Sequence, residues 1–476
     1  MLNESDILFL RKHDIAINDA KQQLECINKT QPYLTLSRAC ALDDGIKKII
    51  DTTPLLKSWQ EANSALCITK FIPASGAATR MFKELISFID SPDNPSSKIK
   101  YFFDNIQKFA FFEEIPKEKL EDRCETLKFL LTAEGLNYTQ LPKAMLLFHK
   151  SPEPRFAFEE HLSEAANYIE KDGHCHLHFT ITKEHLSIFQ HLIKEKMITW
   201  EERWNCKFNI NFSFQQHATD SLSVNEKGQL WRDDEGKPLL RPAGHGALIR
   251  NLNKINSDIV VLKNIDNVCP DHLKDTTFLW KKVLIGLLYK LQKQSFAFLR
   301  KLHDNPNETE KKDAETFIRD SLNVDIQDTQ VSVETLISLL DRPIRVCGMV
   351  PNTGEPGGGP FWVEEEYGNS CQIVEKIQIA PQQLDVMKNA SHFNPVDVVC
   401  GLKNWQGEKF DLHHFVNEKA FIVVEKSHQG KYLKSTERPG LWNGSMHYWN
   451  SVFVEVPITT FTPVKTVFDL LRDEHL

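Results

Sequence analysis

The stretch from Ala65 to Ile86 constrains the fold more than any other. Ala65-Leu66-Cys67-Ile68 is an apolar run short enough for a buried strand, and Met81-Phe82-Lys83-Glu84-Leu85-Ile86 has a helical pattern. Between them lies a turn of small residues, Ala74-Ser75-Gly76-Ala77-Ala78-Thr79, closed by Arg80. A strand, a small-residue turn and a helix cradle a phosphate well. Small side chains let backbone N–H groups approach the anion, and the helix N-terminus adds a favourable dipole. Arg80 adds a planar, permanently charged fork suited to phosphate oxygens. The alternative is an ordinary strand-to-helix connection whose small residues serve close packing.

Periodicity extends this beginning into an α/β pattern. Strands are predicted at Leu141–Phe148, His176–Thr182, Asn209–Gln215 and Asp258–Leu262, with helices at Phe156–Ile169 and from Glu184. Such alternation argues for a mostly parallel sheet. Residues 1–65 read as a helical cap in which Leu42-Asp43-Asp44-Gly45-Ile46 opens a helix. Residues 66–400 read as the α/β domain, with helical insertions at about 84–141 and 273–340, and 401–476 as a strand-rich part that completes the site. Leu284, Leu287, Leu288 and Leu291 give the second insertion its apolar face.

Composition narrows the function. The 476 residues carry a net charge of −8, which offers nothing to nucleic acid or an anionic membrane. There is no apolar run of membrane-spanning length and no basic start of a signal peptide. The 10 cysteines include no Cys-x-x-Cys pair, the usage of a reducing compartment, so a cytoplasmic protein is expected.

Several motifs follow the phosphate turn. Arg241-Pro242-Ala243-Gly244-His245-Gly246 leads into a helix, and the strand Asp258–Leu262 ends at Lys263-Asn264-Ile265-Asp266-Asn267. An acidic residue at the carboxyl end of a buried parallel strand stands where ligand and metal sites occur in open α/β sheets, and Asp266 has the hard oxygen that magnesium takes. The chain also carries Gln372-Ile373-Val374-Glu375, Phe393-Asn394-Pro395-Val396-Asp397 and Phe461-Thr462-Pro463-Val464-Lys465-Thr466 with Asp469-Leu470-Leu471.

Together these motifs resemble those of the UDP-sugar pyrophosphorylase (UTP–glucose-1-phosphate uridylyltransferase) family, in the family's order from Ile68 onward. The chain also looks like a bacterial family of unknown function. The most specific match is Phe461–Leu471, which is similar to Phe-x-Pro-Val-Lys-Thr-x-x-Asp-Leu-Leu. Next is Gly-His-Gly followed by Asn-x-Asp-Asn. The resemblance implies a Rossmann-like GT-A nucleotidyltransferase domain that joins a nucleoside triphosphate, UTP first, to a sugar 1-phosphate with Mg2+. It implies that Arg80, Lys143 and Lys465 act on the phosphates and that Asp266 holds magnesium. The nucleotide falls to Ala74, Ser75, Gly76, Ala77, Ala78, Thr79, Gln215, Gly244 and Gly246, with the Gln215 amide reading the uracil edge. The sugar phosphate falls to His245, Asn264, Glu375 and Asn394.

The departures are specific. Ser75 and Ala78 replace glycines of the nucleotide loop, Asp397 stands where the family has asparagine, and Thr459-Thr460 stand where it has an arginine. The family's C-terminal β-helix is missing after Leu476, which favours a monomer. Lys83 is a rival to Lys143, either lysine and Lys465 could be surface residues, and Asp266 could cap a helix. Besides the enzyme, a catalytically impaired sensor of nucleotide sugars and a nucleotidyltransferase acting on a non-sugar phosphate stay open.

Two further features stand apart. His174, His176 and His178 share one strand face at a spacing zinc can use. No second ligand cluster accompanies them, and a solvated strand edge accounts for them better. The run Gly354–Trp362 reads either as a loop closing over a sugar, with Trp362 stacking on the ring, or as a long hairpin turn.

Overall fold

The computed structural model describes residues 2–92, 95–150, 153–215, 219–241, 244–327, 331–354, 357–393, 395–428 and 431–476. Among them, nine strands form the central sheet: β1 (Ala41–Leu42), β2 (Gly45–Lys47), β3 (Ile68–Pro73), β4 (His174–Ile181), β5 (Lys207–Phe214), β6 (Ile259–Leu262), β7 (Ile344–Met349), β8 (Asp397–Gly401) and β9 (Asn450–Glu455). Their order across the sheet is β1-β2-β9-β7-β8-β6-β3-β4-β5. Every neighbouring pair is parallel except the two made by β8. The apolar run Ile259-Val260-Val261-Leu262 is buried throughout, as a strand covered on both faces requires.

This order creates a crevice. The chain steps outward from β3 to β4 and β5, then returns to lay β6 on the opposite side of β3. Connections leaving the carboxyl ends of β3 and β6 therefore diverge, and ligands of open α/β sheets bind at such a reversal. Because β8 runs against its neighbours, its amino end at Asp397 shares that edge with the carboxyl ends of β3, β4, β5, β6, β7 and β9. The predicted motifs thus collect on one side of the sheet.

Helices α1 (Thr53–Ala65), α2 (Ala157–Tyr168), α3 (Leu186–Trp204) and α4 (Asp275–His303) build much of the core. The face formed by Leu284, Leu287, Leu288 and Leu291 is buried, and α4 packs on β7, β8 and α1. So α4, read from sequence as the start of an insertion, is a layer of the main core. The segment 83–131 does supply additional helices, at Lys83–Asp90, Ser97–Asp104 and Arg123–Leu131. They share a second core with Met81, Phe82, Phe102, Val464, Val467 and Leu470, which seats the C-terminal motif beside the phosphate turn.

Several expectations are corrected. Leu42–Ile46 is no helix: Asp43 and Gly45 take positive φ of 61° and 93°, turning β1 into β2. Of Leu141–Phe148 only the end is a strand, Leu147–His149, paired with Arg155–Phe156 apart from the central sheet, while Lys143–Met145 is a 3-10 turn. The His174–His178 strand is internal, between β3 and β5, not a solvated edge. Its His178 ring stacks on Phe71 at 5.7 Å, and its Nε2 lies 2.8 Å from Ser213 Oγ. Trp362 is buried in a second sheet made by Leu36–Ala39, Gly359–Glu365, Gly368–Val374 and Val324–Ile326. There Arg38 lies 4.6 Å above its ring, so it has no free face for a sugar. Residues 355–356 of that glycine run lie outside the described residues. The central sheet draws strands from the 1–65, 66–400 and 401–476 stretches alike. No helix among the described residues is long and apolar enough to cross a membrane.

The crossing of α4 with α1 is close. A Cβ at Gly286 would lie 1.9 Å from the Leu55 carbonyl oxygen, which is backbone and cannot swing aside. Helix propensity favours alanine there by about 1 kcal/mol, whereas an overpacked core costs about 1–3 kcal/mol. With backbone as the obstacle, the clash wins. Gly286→Ala is expected to lower stability by about 1–2 kcal/mol, measured by urea unfolding.

Candidate functional site

The small-residue turn Ala74–Thr79 is fixed at both ends. Ala74 N–H donates to the Thr180 carbonyl at 2.8 Å, and Ala78 N–H to the Leu141 carbonyl at 3.1 Å. Ala74 and Ala78 are buried, whereas Gly76, Ala77, Thr79 and Arg80 are exposed and Ser75 is partly so. A Cβ at Gly76 would meet nothing within 4 Å, so the turn faces open space. Thr79 Oγ1 donates to the Thr139 carbonyl at 2.8 Å. Ala77 bridges to Pro142, bringing Lys143 beneath the turn.

Lys143 and Lys465 converge on Asp266. Lys143 Nζ lies 2.9 Å from Asp266 Oδ2, and Lys465 Nζ lies 3.1 and 3.0 Å from Oδ1 and Oδ2. Lys83, the rival lysine, is exposed on its own helix. Burial alone would raise the Asp266 carboxyl, but Lys143 and Lys465 outweigh it and hold the group below the ordinary carboxylate range. Asp266 therefore neither caps a helix nor stands free. The backbone clips the two motifs together: Val464 N–H donates to the Asp266 carbonyl at 2.8 Å, and Thr462 N–H to Asn267 Oδ1 at 2.8 Å. Asn264 is half-buried, and its carbonyl accepts from Asn267 N–H at 3.2 Å.

A buried ionic cluster supports this group from below. Glu164 on α2 accepts from Lys70 of β3 at 2.8 Å and from Lys263, just past β6, at 2.6 Å, with all three side chains at most 2% exposed. Burial would raise Glu164, yet Lys263 and Lys70 hold it well below its ordinary value; burial lowers Lys70 to about 7. His161, one turn earlier, meets the Ile265 carbonyl through Nε2 at 3.2 Å. Asp397 is paired with Lys281 in the interior, which gives it a structural partner.

A second group gathers around His245. Leu441 N–H donates to His245 Nδ1 at 3.0 Å, so the ring proton sits on Nε2, which faces Glu375 Oε1 at 3.7 Å. Asn443 Nδ2 donates to the same Glu375 oxygen at 2.7 Å. His245 holds the Glu375 carboxyl below its ordinary value against the effect of burial, with help from Asn443. Arg345 of β7, fully buried, donates to Ser451 Oγ at 2.7 Å and to the Trp442 carbonyl, fixing the segment that carries Asn443. Gln215 follows β5, and its Nε2 is buried with no hydrogen-bond partner among the described residues. Asn251, on the helix after the glycine-histidine turn, donates to Ser213 Oγ and the Phe214 carbonyl at 2.8 and 3.0 Å, joining the two segments. Gly244 needs its freedom at φ +73°, whereas a Cβ at Gly246 would strike the Pro439 carbonyl at 2.1 Å. Gly246 thus serves packing as well. Asn394, with Pro242 and Ala243, lies outside the described residues.

Sequence reading passed over Lys70, Glu164, Lys263, Arg345 and Asn443. The first and second carried a signal: a lysine inside the apolar run Ile68–Ile72, and an acid on the apolar face of α2. Both demand a buried partner.

Among the described residues no three or more His, Cys, Asp or Glu side chains gather to hold a metal ion. Asp266 fits magnesium only as a single carboxylate donor, with phosphate and water oxygens completing the shell.

The model of a domain of unknown function, DUF4301, matches residues 3–476. The chain belongs to the DUF4301 family. No curated protein matches this DUF4301 chain. Among solved structures it is similar to the uridine diphosphate N-acetylglucosamine pyrophosphorylase from Trypanosoma brucei in complex with inhibitor, at 13% identity and TM-score 0.49 over 98% of this chain and 75% of that one. It is also similar to the UDP-glucose phosphorylase from Trypanosoma brucei, at 11% identity and TM-score 0.47 over 98% and 77%. Likeness of that degree assigns neither substrate nor reaction.

Burial near the site has a consequence for acid stability. It holds His161 well below 6.5, His178 near 4 and His475 near 3. In the unfolded chain these rings take protons near pH 6.5, so between pH 6.5 and 4 the unfolded state binds more protons and stability falls as pH falls. Urea midpoints are expected to drop across that window. His178→Gln should flatten the slope by at most about 1.4 kcal/mol per pH unit, the value for one proton.

Proposed function

We propose that this protein is a nucleotidyltransferase of the GT-A kind, which forms a nucleotide sugar and pyrophosphate from a nucleoside triphosphate, UTP first, and a sugar 1-phosphate. The observation that carries the reading is the convergence of Lys143, Asp266 and Lys465 beside an open small-residue turn at the sheet's reversal point. Two ammonium groups on one carboxylate leave a formal charge of +1, suited to phosphate oxygens.

A sugar 1-phosphate oxygen attacks the α-phosphorus, a new P–O bond forms, and the bond to the β,γ-pyrophosphate breaks. Such transfers need positioning and charge neutralisation more than covalent catalysis. Arg80 and the exposed turn hold the triphosphate. Lys143 and Lys465 exchange their contacts with Asp266 for contacts with phosphate oxygens and neutralise the charge that develops on transfer. Asp266, so released, is the residue that would hold Mg2+, which would supply positive charge to the phosphates. The Gln215 amide, whose Nε2 has no partner among the described residues, donates to the base. His245 Nε2–H and Glu375 offer a donor and an acceptor to the sugar phosphate and its hydroxyls, oriented by Asn443.

One observation favours a second reading, a sensor that binds a nucleotide sugar without turnover. Ala78 N–H is already bonded to the Leu141 carbonyl, which removes one amide from the phosphate cradle.

Pyrophosphate release with magnesium, over four nucleoside triphosphates and a panel of sugar 1-phosphates, separates the two. The enzyme reading expects release with one pair of substrates. It also expects kcat/KM to fall about 10²–10³-fold in Asp266→Ala and in Lys465→Ala. Nucleotide-sugar binding without any release would establish the sensor instead.

A further inference from the structure

A cleft of about 230 Å³ opens between the helix Ile17–Ile27, the segment Gly246–Arg250 and the strand end Thr436–Pro439. Two guanidinium groups, Arg250 and Arg438, enter it, and one carboxylate stands between them. Each Nη2 comes no closer than 3.6 Å to Asp19 Oδ2, an ion-pair contact longer than a hydrogen bond. Arg438 Nε is buried with no hydrogen-bond partner among the described residues. Burial, and then the charge of Arg438, hold Arg250 below its ordinary pKa, so the two cations repel across a space that Asp19 does not fill.

Other groups sharpen the chemistry. Glu437 is engaged by Lys426 at 3.2 Å, and Glu418 is exposed and acts on Arg250 through its charge; among the described residues neither carboxylate forms an ion pair with Arg250 or Arg438 within 4 Å. Ser221 and Thr436 add hydroxyls to the lining. Paired guanidinium forks with unmet donors, partly withdrawn from water, are the arrangement that binds phosphate or carboxylate oxygens in bidentate fashion.

We propose that this cleft is a binding site for a small oxyanion ligand, a phosphate or carboxylate, held between Arg250 and Arg438, with Asp19 occupying part of the anion's place when the ligand is away. Through Gly246 and Ala247 the cleft abuts the turn that carries His245, so an occupant would bear on that turn.

Calorimetric titration of the full chain with inorganic phosphate, and separately with citrate, tests this and identifies the source by which probe binds. Binding of at least one probe is expected. It should weaken about tenfold or more in Arg438→Gln and in Arg250→Gln, and stay unchanged in Lys465→Gln, which reports the triphosphate region instead. Asp19→Asn, which removes the competing carboxylate and leaves both arginines in place, should tighten binding several-fold, and it decides the matter if an arginine variant fails to fold. Absence of binding by both probes overturns the proposal. So does binding that survives both arginine variants, is lost only in Lys465→Gln, or is not tightened in Asp19→Asn.

Discussion

The site rests on one buried carboxylate. Glu164 binds Lys70 of β3 and Lys263 beyond β6 with side chains almost wholly withdrawn from water. Taking three charges out of water costs several kcal/mol each, and only short, well-directed contacts offset it. Loss of Glu164 would leave two lysines without a counter-charge in the interior, at about 3–5 kcal/mol, whereas loss of either lysine would leave a matched pair. The cluster therefore fixes the spacing of the two strands whose loops diverge at the crevice. Asp266, three residues past Lys263, inherits its position from that pairing. His161, one helical turn before Glu164, holds the intervening Ile265 carbonyl. A single turn of α2 thus supports the carboxylate that gathers Lys143 and Lys465.

The arrangement also explains why two lysines can face one aspartate. Lys143 is largely enclosed and holds both Asp266 and the Val464 carbonyl, whereas Lys465 is more than half exposed. Lys143 resembles a fixed strut and Lys465 a movable arm. Asp266 partly balances both cations, and Lys465 is the one that solvent reaches. The site is thereby kept compact without a ligand, and its net positive charge remains available.

Much of this was legible in the chain. The runs His176–Thr182, Asn209–Gln215 and Asp258–Leu262 gave their strands through alternation or apolar content, and the turn at Ala74–Arg80 announced itself through small residues, but the strand expected at Ala65–Ile68 begins only at Ile68 and runs to Pro73, with Ala65 closing α1. The resemblance to the pyrophosphorylase motifs named Lys143, Asp266 and Lys465 together although 321 residues separate Lys143 from Val464, its backbone partner. What escaped reading depended on tertiary partners. Leu42–Ile46 looked helical because strands of two and three residues have no periodicity of their own; pairing with each other and with β9 makes β1 and β2 strands. Trp362 looked available because nothing in its neighbourhood in sequence predicts Arg38 above its ring. Arg345 and Asn443 act on His245 and Glu375 through contacts that cross the fold, which local pattern cannot show.

The placement of β9 has a consequence for how the molecule comes into being. Ile46 of β2 pairs with Phe453 of β9, and β9 then pairs with β7. At about 5–20 residues per second of synthesis, the intervening chain takes roughly 20–80 s to follow β2 out. For that interval β1 and β2 have no route into the sheet, and β7, once made, lacks its outer neighbour for the last roughly 5–20 s of it. Lys465 emerges after β9, so the pair of lysines on Asp266 is completed last. A nascent chain would hold its sheet open along β7 while the pocket has only one of its two lysines, and such an edge invites pairing with a neighbouring chain. Completion of the lysine pair on Asp266 and escape from aggregation would therefore arrive close together, once the same closing strand is in place.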